Sequence, residues 1–133
     1  MIYFISGHRD LTLDEFNKIY VPRIEEVLLK DDNAEFIVGD CEGVDKFAMD
    51  YIFTNTARGL YICHIGKKPK HVPNESVYDE RIKDYDVYLI GGFSSHVARD
   101  TYMTKNSDFD IAFVKDNRWN SGTAQNIKRR YGI

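Results

Sequence analysis

The sequence has little cysteine and no long apolar run, and each shortage excludes a class of protein. The two cysteines, Cys41 and Cys63, form neither a disulfide framework nor a C-x-x-C redox or metal motif. No apolar stretch approaches the roughly 20 residues of a transmembrane helix. The first apolar run stops at Ser6 without a basic leader, which predicts a first strand rather than a signal peptide. We therefore expect a cytoplasmic protein with no membrane partner.

Neither sign of charge is in large excess. The chain has 18 Lys and Arg against 21 Asp and Glu, a net charge of −3, which argues against a nucleic-acid partner. With 133 residues, 43% of them hydrophobic, we expect a single folded domain over 1–133. The 9 Tyr and 8 Phe leave a homo-oligomer open, because aromatic side chains are enriched at interfaces.

The apolar pattern predicts strands that alternate with helices. Strands are predicted at Ile2–Ile5, Glu35–Val38, Leu60–Ile65, Asp86–Ile90 (ended by Gly91-Gly92) and Phe109–Val114. The predicted helices are one after Thr12, one opened by Pro22, one from Val44 capped by Gly59, and three over 76–83, 96–105 and 121–131. This order indicates an α/β fold, a three-layer α/β/α Rossmann-like domain with a mainly parallel sheet of about five strands.

Three of the predicted strands lead into polar turns that contain glycine. These turns are Ser6-Gly7-His8-Arg9-Asp10, Gly39-Asp40-Cys41-Glu42-Gly43 and Ser121-Gly122-Thr123. A strand, a glycine turn and a helix start together leave backbone N–H groups free, with the positive end of the helix dipole behind them. In parallel sheets such turns share one edge, where phosphorylated ligands bind.

The last of these turns is the best candidate for a phosphate site. Ser121 can cap the helix, Gly122 allows a ligand close to the backbone, and the Thr123 hydroxyl can donate to a phosphate oxygen. The alternative is that the three residues simply begin a helix. Sequence physics leaves the two interpretations about even.

The other two turns carry charged side chains with two interpretations each. Asp40 and Glu42 can bind ribose hydroxyls or act in glycosidic chemistry, or they can serve as helix caps. Arg9 can pair with a surface acid such as Asp10, or it can contact phosphate. The basic cluster at 128–130 falls in the last helical turn, where cations complement the helix dipole, so we interpret it as structural.

Taken together, the motifs resemble the SLOG superfamily of Rossmann-like proteins. This group includes the DNA-processing protein A core, the cytokinin-activating "lonely guy" phosphoribohydrolases and the YspA/YpsA-type proteins. Its Gly-Ser-Arg-Asp turn resembles residues 6–10, and its Gly-Gly-x-x-Gly-x-Asp segment resembles residues 39–45, with Asp40 replacing a glycine. Its Arg-Asn/Asp-x-x-Met helix is similar to Arg99–Met103, and its Gly-Gly-x-Gly-Thr turn is similar to Asn120–Thr123.

The resemblance implies a nucleotide or a nucleotide-derived molecule as the ligand. The phosphoribohydrolases carry a glutamate shortly after Gly-Thr, where this chain has Gln125 and Asn126, and this difference weakens a transfer of their hydrolase activity. The implied ligand-binding residues are Ser6, Gly7, Arg9, Gly39, Gly43, Asp45, Arg99, Met103, Ser121, Gly122 and Thr123.

Three functions stay open at the level of the sequence. The first is a nucleotide-binding protein that holds phosphate at Gly122-Thr123. The second is an N-glycosidase or (deoxy)ribosyltransferase, for which Glu42 and Asp40 are the candidate catalytic carboxylates. The third is a regulatory or nucleic-acid-processing interaction module. We expect no metal and no cofactor in any of them.

Overall fold

The computed structural model describes residues 1–74 and 86–132. Within them, five strands form one sheet in which every pair is parallel. The order across the sheet is β4-β3-β2-β1-β5, and the strands are β1 (Ile2–Ser6), β2 (Glu35–Val38), β3 (Leu60–Ile65), β4 (Val87–Phe93) and β5 (Phe109–Ala112). The predicted helix at 76–83 lies outside the described residues.

Helices cover both faces of the sheet, which confirms the predicted three-layer α/β/α fold. One face packs against α1 (Leu13–Ile19), α2 (Val21–Lys30) and α3 (Val44–Asn55). The opposite face packs against α4 (His96–Lys105) and α5 (Gly122–Tyr131). No helix in the described residues has the length and apolar character to span a membrane.

Alternation along the strands explains the two layers of core. In β1, Ile5 packs into the cluster under α1, α2 and α3, whereas its neighbour Phe4 packs with Met103 of α4 on the other face. Successive strand residues point to opposite faces of a sheet. Strands that are buried on both faces read as largely apolar runs, as the three central strands β1, β2 and β3 do.

Local signals in the sequence set the helix boundaries at several points. Thr12 Oγ1 accepts from the Glu15 N–H (3.1 Å) and a Glu15 carboxylate oxygen accepts from the Thr12 N–H (3.0 Å), so the predicted capping box is confirmed. The predicted break before Pro22 is also confirmed, because α1 ends at Ile19 and α2 starts at Val21. The last helix ends at Gly132, which has a left-handed conformation.

Two predicted boundaries are wrong because tertiary contacts decide them. The fourth strand continues through Gly91-Gly92 to Phe93, and a side chain at residue 91 would overlap the His64 imidazole on the neighbouring strand. The helix from Val44 ends at Asn55 rather than at Gly59, which instead packs against the Glu35 carboxylate. In both cases glycine makes room for a side chain from another strand.

The last strand also stops earlier than predicted, at Ala112. The Tyr20 hydroxyl accepts a hydrogen bond from the Phe113 N–H (3.0 Å) and donates to the Ser6 carbonyl oxygen (2.7 Å). This buried hydroxyl therefore takes the place of a strand–strand bond where β1 and β5 separate. The separation opens the space between the two strand ends.

Candidate functional site

The carboxyl edge of the sheet contains a cavity of about 310 Å³. It lies where β1 and its neighbours end, and residues from α3, α4 and the start of α5 complete its wall. Eight of the residues predicted from the sequence line this cavity: Ser6, Gly7, Arg9, Asp45, Arg99, Met103, Gly122 and Thr123. The fold thus brings together turns that are more than 100 residues apart in the sequence.

The N-terminus of α5 presents backbone donors to this cavity. The Ser121 side chain caps the helix by accepting from the Ala124 N–H (3.1 Å). The N–H groups of Gly122 and Thr123, in the same first turn, have no acceptor within the helix. Both residues line the cavity, so their donors and the positive end of the helix dipole are close to any ligand there.

Ser6 supplies a second and independent polar group to the same cavity. The residue is only 5% exposed, and its Oγ is buried with no hydrogen-bond partner in the described part of the chain. An unsatisfied buried hydroxyl is destabilising by about 1–3 kcal/mol, so native proteins normally pair such groups. A bound ligand with a hydrogen-bond acceptor would satisfy it.

The surroundings of Arg99 differ from those expected of an arginine that binds phosphate. Its Nη1 contacts Asp40 Oδ1 at 3.0 Å and Cys41 Sγ at 3.5 Å, and its Nε and Nη2 both lie 3.1 Å from Asp100 Oδ1. All of these side chains are largely buried. The guanidinium is therefore already compensated by two carboxylates, and it fixes the floor of the cavity rather than adding free positive charge.

Among the titratable groups in the cavity wall, Asp45 has the pKa that is shifted furthest from its usual value. Burial raises the pKa of Asp45 from 3.8 to about 7, although the Arg99 charge and the Cys41 N–H bond to Asp45 Oδ2 (3.1 Å) oppose the shift. Gly39 makes this arrangement possible, because a Cβ at that residue would lie 2.6 Å from Asp45 Oδ2.

The two carboxylates that the sequence proposes as catalytic lie apart from the main cavity. Both Asp40 oxygens have partners, since Oδ1 accepts from Arg99 and Oδ2 accepts from the Lys70 N–H at 2.7 Å. Glu42 is exposed and lines a smaller neighbouring cavity. Gly43, with φ +73°, passes next to the Arg9 carbonyl oxygen and is the N-cap residue of α3.

Five further polar residues line the cavity but are absent from the set predicted as site residues: His8, Cys41, His96, Asp100 and Asn126. The buried His8 accepts from the Lys115 N–H at Nε2 (2.8 Å), and burial lowers its pKa. Helical spacing could have identified two of them as site residues. His96 lies three residues before Arg99 and Asn126 lies four residues after Gly122, so each shares a helix face with a predicted site residue.

The basic cluster at 128–130 has intramolecular partners throughout, in agreement with a structural role. Lys128 donates to the Trp119 carbonyl oxygen (3.0 Å), and Arg129 donates to Asn126 (2.6 Å). Arg130 forms a two-point ion pair with Asp110, at 3.0 and 3.2 Å. The Arg130–Asp110 pair connects α5 to β5 and so helps to position the helix beside the sheet.

Comparison with protein-family models, with curated proteins and with solved structures found no match. In the described residues no three side chains of His, Cys, Asp or Glu are grouped in a way that could hold a metal ion.

Proposed function

We propose that the protein binds a nucleotide or a nucleotide-derived molecule in the main cavity, with a phosphate at the start of α5. The main support for the proposal is that two sets of hydrogen-bond donors in the described residues lack an acceptor and line the same cavity. The N–H groups of Gly122 and Thr123 have no acceptor within the helix, the Ser6 Oγ is buried with no partner in the described part of the chain, and all three can donate to a ligand in the cavity. The resemblance to the SLOG superfamily supports the proposal, because it implies the same class of ligand.

A phosphate group fits these donors better than other common ligands do. It offers several acceptor oxygens and a charge of about −1.5 to −2, which the positive end of the helix dipole stabilises. The Thr123 hydroxyl, in the same turn, provides a further donor. Arg9 at the cavity wall supplies a cation, because Arg99 is already compensated by Asp40 and Asp100.

The remainder of the cavity suits a sugar or a base. Its volume of about 310 Å³ is at the lower end of the range for small-molecule sites, which favours a mononucleotide-sized group over a larger cofactor. Asp45 and Asn126 offer polar atoms for hydroxyl or base edges, and Phe4 and Met103 offer apolar surface.

The experiment is a thermal-shift screen with nucleoside mono- and diphosphates, ADP-ribose and NAD, followed by mass spectrometry of each ligand that shifts the melting curve. Binding at about 100 times the dissociation constant stabilises the folded state by about 2.7 kcal/mol. The double variant Ser6→Ala/Thr123→Val removes two hydroxyl donors, and we expect it to lose this stabilisation.

Thr104→Val is the matched control for that variant. The Thr104 Oγ1 is another buried hydroxyl with no partner among the described residues, but Thr104 does not line the cavity. It should therefore retain the full ligand-dependent shift. Equal shifts in the Ser6→Ala/Thr123→Val protein and the control would contradict the proposed site.

A second candidate function, cleavage of an N-glycosidic bond, is favoured by one observation. Asp45 lines the main cavity, and its pKa of about 7 would keep part of the population protonated near neutral pH. A carboxylic acid of this kind can protonate a leaving base. The geometry thus favours Asp45 over Asp40, whose oxygens are already occupied.

Release of free base separates catalysis from binding alone. Each nucleotide that binds is incubated with the protein and with Asp45→Asn, and the products are measured by mass spectrometry. Base release by the native chain that Asp45→Asn abolishes would establish the second function. Bound but intact ligand in both samples would leave binding as the function.

A further inference from the structure

A smaller cavity adjoins the main one at the same edge of the sheet. It has a volume of about 170 Å³ and is lined by Arg9, Cys41, Glu42 and Lys70. Arg9 and Cys41 line both cavities, so the two spaces meet at these side chains. A ligand held at the start of α5 can therefore extend past Arg9 into the smaller cavity.

Arg9 brings to this junction a positive charge that no carboxylate of the described residues compensates. Its sequence neighbour Asp10 is committed to Arg118 through two bonds of 2.7 and 2.9 Å. In residues 1–74 and 86–132, no carboxylate oxygen lies within 4.0 Å of the Arg9 guanidinium, whose contact there is His96 Nε2 at 3.5 Å. Asp10, the acid next to Arg9 in the sequence, is thus bound elsewhere, and Arg9 is available to an anion.

Lys70 is the second cation, and its backbone is fixed. Its N–H donates to Asp40 Oδ2 at 2.7 Å, which connects the loop after β3 to the Arg99–Asp40 pair. Two residues further on, the Val72 carbonyl oxygen accepts from Lys46 of α3 at 3.1 Å. Residues 70–72 are thus bound to the body of the domain, and Lys70, whose side chain has no acceptor among the described side chains, is one of the residues that line the smaller cavity.

The balance of charge in the smaller cavity is positive. Two cationic residues, Arg9 and Lys70, line it together with a single acidic residue, Glu42, and all three are exposed. Asp40 does not line this cavity and is ion-paired with Arg99. Two cations that converge on a small cleft form a suitable site for a phosphate or another compact anion.

From these observations we infer that the smaller cavity is a second anion subsite. The ligand then carries two phosphate groups at separate positions, one at the start of α5 and one between Arg9 and Lys70. This inference rests on the proposed function and narrows it. A nucleoside bisphosphate and a pyrophosphate-bridged nucleotide share this chemistry, whereas a nucleoside monophosphate does not.

The test is an NMR titration of the ¹⁵N-labelled full chain with inorganic phosphate at constant ionic strength. The amides of Gly122 and Thr123 report on the first site, and the Arg9 Nε–H and the Lys70 amide report on the second. We expect saturable shifts at both sets. Lys70→Gln keeps the backbone bond to Asp40, and it should weaken phosphate binding at the second site at least threefold without changing the first.

Lys67→Gln is the matched control, since it removes one charge from the same loop at an exposed residue that does not line the cavity. Shifts at Gly122 and Thr123 alone would overturn the second subsite and retain the proposed function. Shifts at Arg9 and Lys70 alone would overturn the proposed function and, with it, the two-phosphate ligand. No saturable shift at either set would overturn both.

Calorimetry then distinguishes the two ligand sources. Adenosine 3′,5′-bisphosphate and ADP-ribose are compared with 5′-AMP, and at least one of them should bind tenfold more tightly or better. Lys70→Gln should reduce that advantage at least threefold, whereas its affinity for 5′-AMP should stay within twofold. Equal affinity of all three probes for the native chain would overturn the inference.

Discussion

Replacement of Asp45 by asparagine should change how the stability of the protein depends on pH. The folded-state pKa of Asp45 is about 7 because of burial, against 3.8 for the ordinary group. Between these values the folded chain holds a proton that the unfolded chain has lost. The free energy of unfolding therefore falls as pH rises through this window, and the contribution is fully present only below about pH 4.

The magnitude follows from the size of the shift. Each pKa unit corresponds to 1.36 kcal/mol, so a shift of about three units amounts to about 4 kcal/mol over the whole window. Between pH 5 and pH 8 only about two of these units are sampled, which gives about 2–3 kcal/mol. Asparagine keeps an oxygen that can accept from the Cys41 N–H, but it does not titrate.

The assay is urea denaturation followed by far-UV circular dichroism at pH 5 and at pH 8, for the native chain and for Asp45→Asn. The difference between the two proteins should shift in favour of the variant by about 2–3 kcal/mol between the lower and the higher pH. Effects of the substitution that do not depend on pH cancel in this comparison. Asp32→Asn, at an exposed carboxylate, is the control and should show no such shift.

A difference between native chain and Asp45→Asn that is the same at both pH values, within about 0.5 kcal/mol, would refute the reasoning. It would mean that Arg99 and the Cys41 N–H stabilise the Asp45 carboxylate enough to offset its burial. The protonated acid invoked for glycosidic cleavage would then be absent at neutral pH.

Three further predictions concern stability and can be measured in the same denaturation assay. Gly43→Ala should destabilise the fold by about 3 kcal/mol or more, because positive-φ strain and overlap with the carbonyl oxygens of the loop after β1 each cost about 1–3 kcal/mol. Gly122→Ala, with no atom near the added Cβ, should leave the stability unchanged. Similar losses of stability in both variants would contradict this prediction. Tyr20→Phe should cost about 1–3 kcal/mol, because it removes the hydroxyl that bonds the buried Ser6 carbonyl oxygen and the half-buried Phe113 N–H, whereas Tyr131→Phe at an exposed residue should stay within about 0.5 kcal/mol. Thr12→Ala should cost about 1 kcal/mol through loss of the capping box, and an unchanged midpoint would show that the cap is dispensable.

The sequence predicted the fold because the relevant signals are local. Apolar runs and helical spacing identified the strands and helices, and the Thr12 capping box and Pro22 set two helix starts. Alternation of strands with helices then indicates a parallel sheet, and parallel strands necessarily place their following turns at one edge. For this reason the turns at 6–10 and 39–43 and the helix start at 121–123 could be predicted to meet.

The boundaries that failed depend on residues distant in the sequence. Gly91 continues a strand because its missing side chain makes room for His64, and Gly59 leaves space for Glu35 rather than capping a helix. The sequence does not distinguish a glycine that ends a helix or strand from one that makes room for the side chain of a neighbouring strand. Only the packing of β3 against β2 and β4 distinguishes these cases.

The sequence by itself determined the layers, the parallel sheet and the edge at which the polar turns meet, since these follow from periodicity and from the chirality of strand connections. The tertiary structure alone decided which charges are compensated. Arg99 is ion-paired with Asp40, 59 residues away, and Arg9 has no carboxylate partner among the described residues because Asp10 is bound to Arg118. Ion pairing depends on distance and burial in three dimensions, and the local pattern of a chain specifies neither.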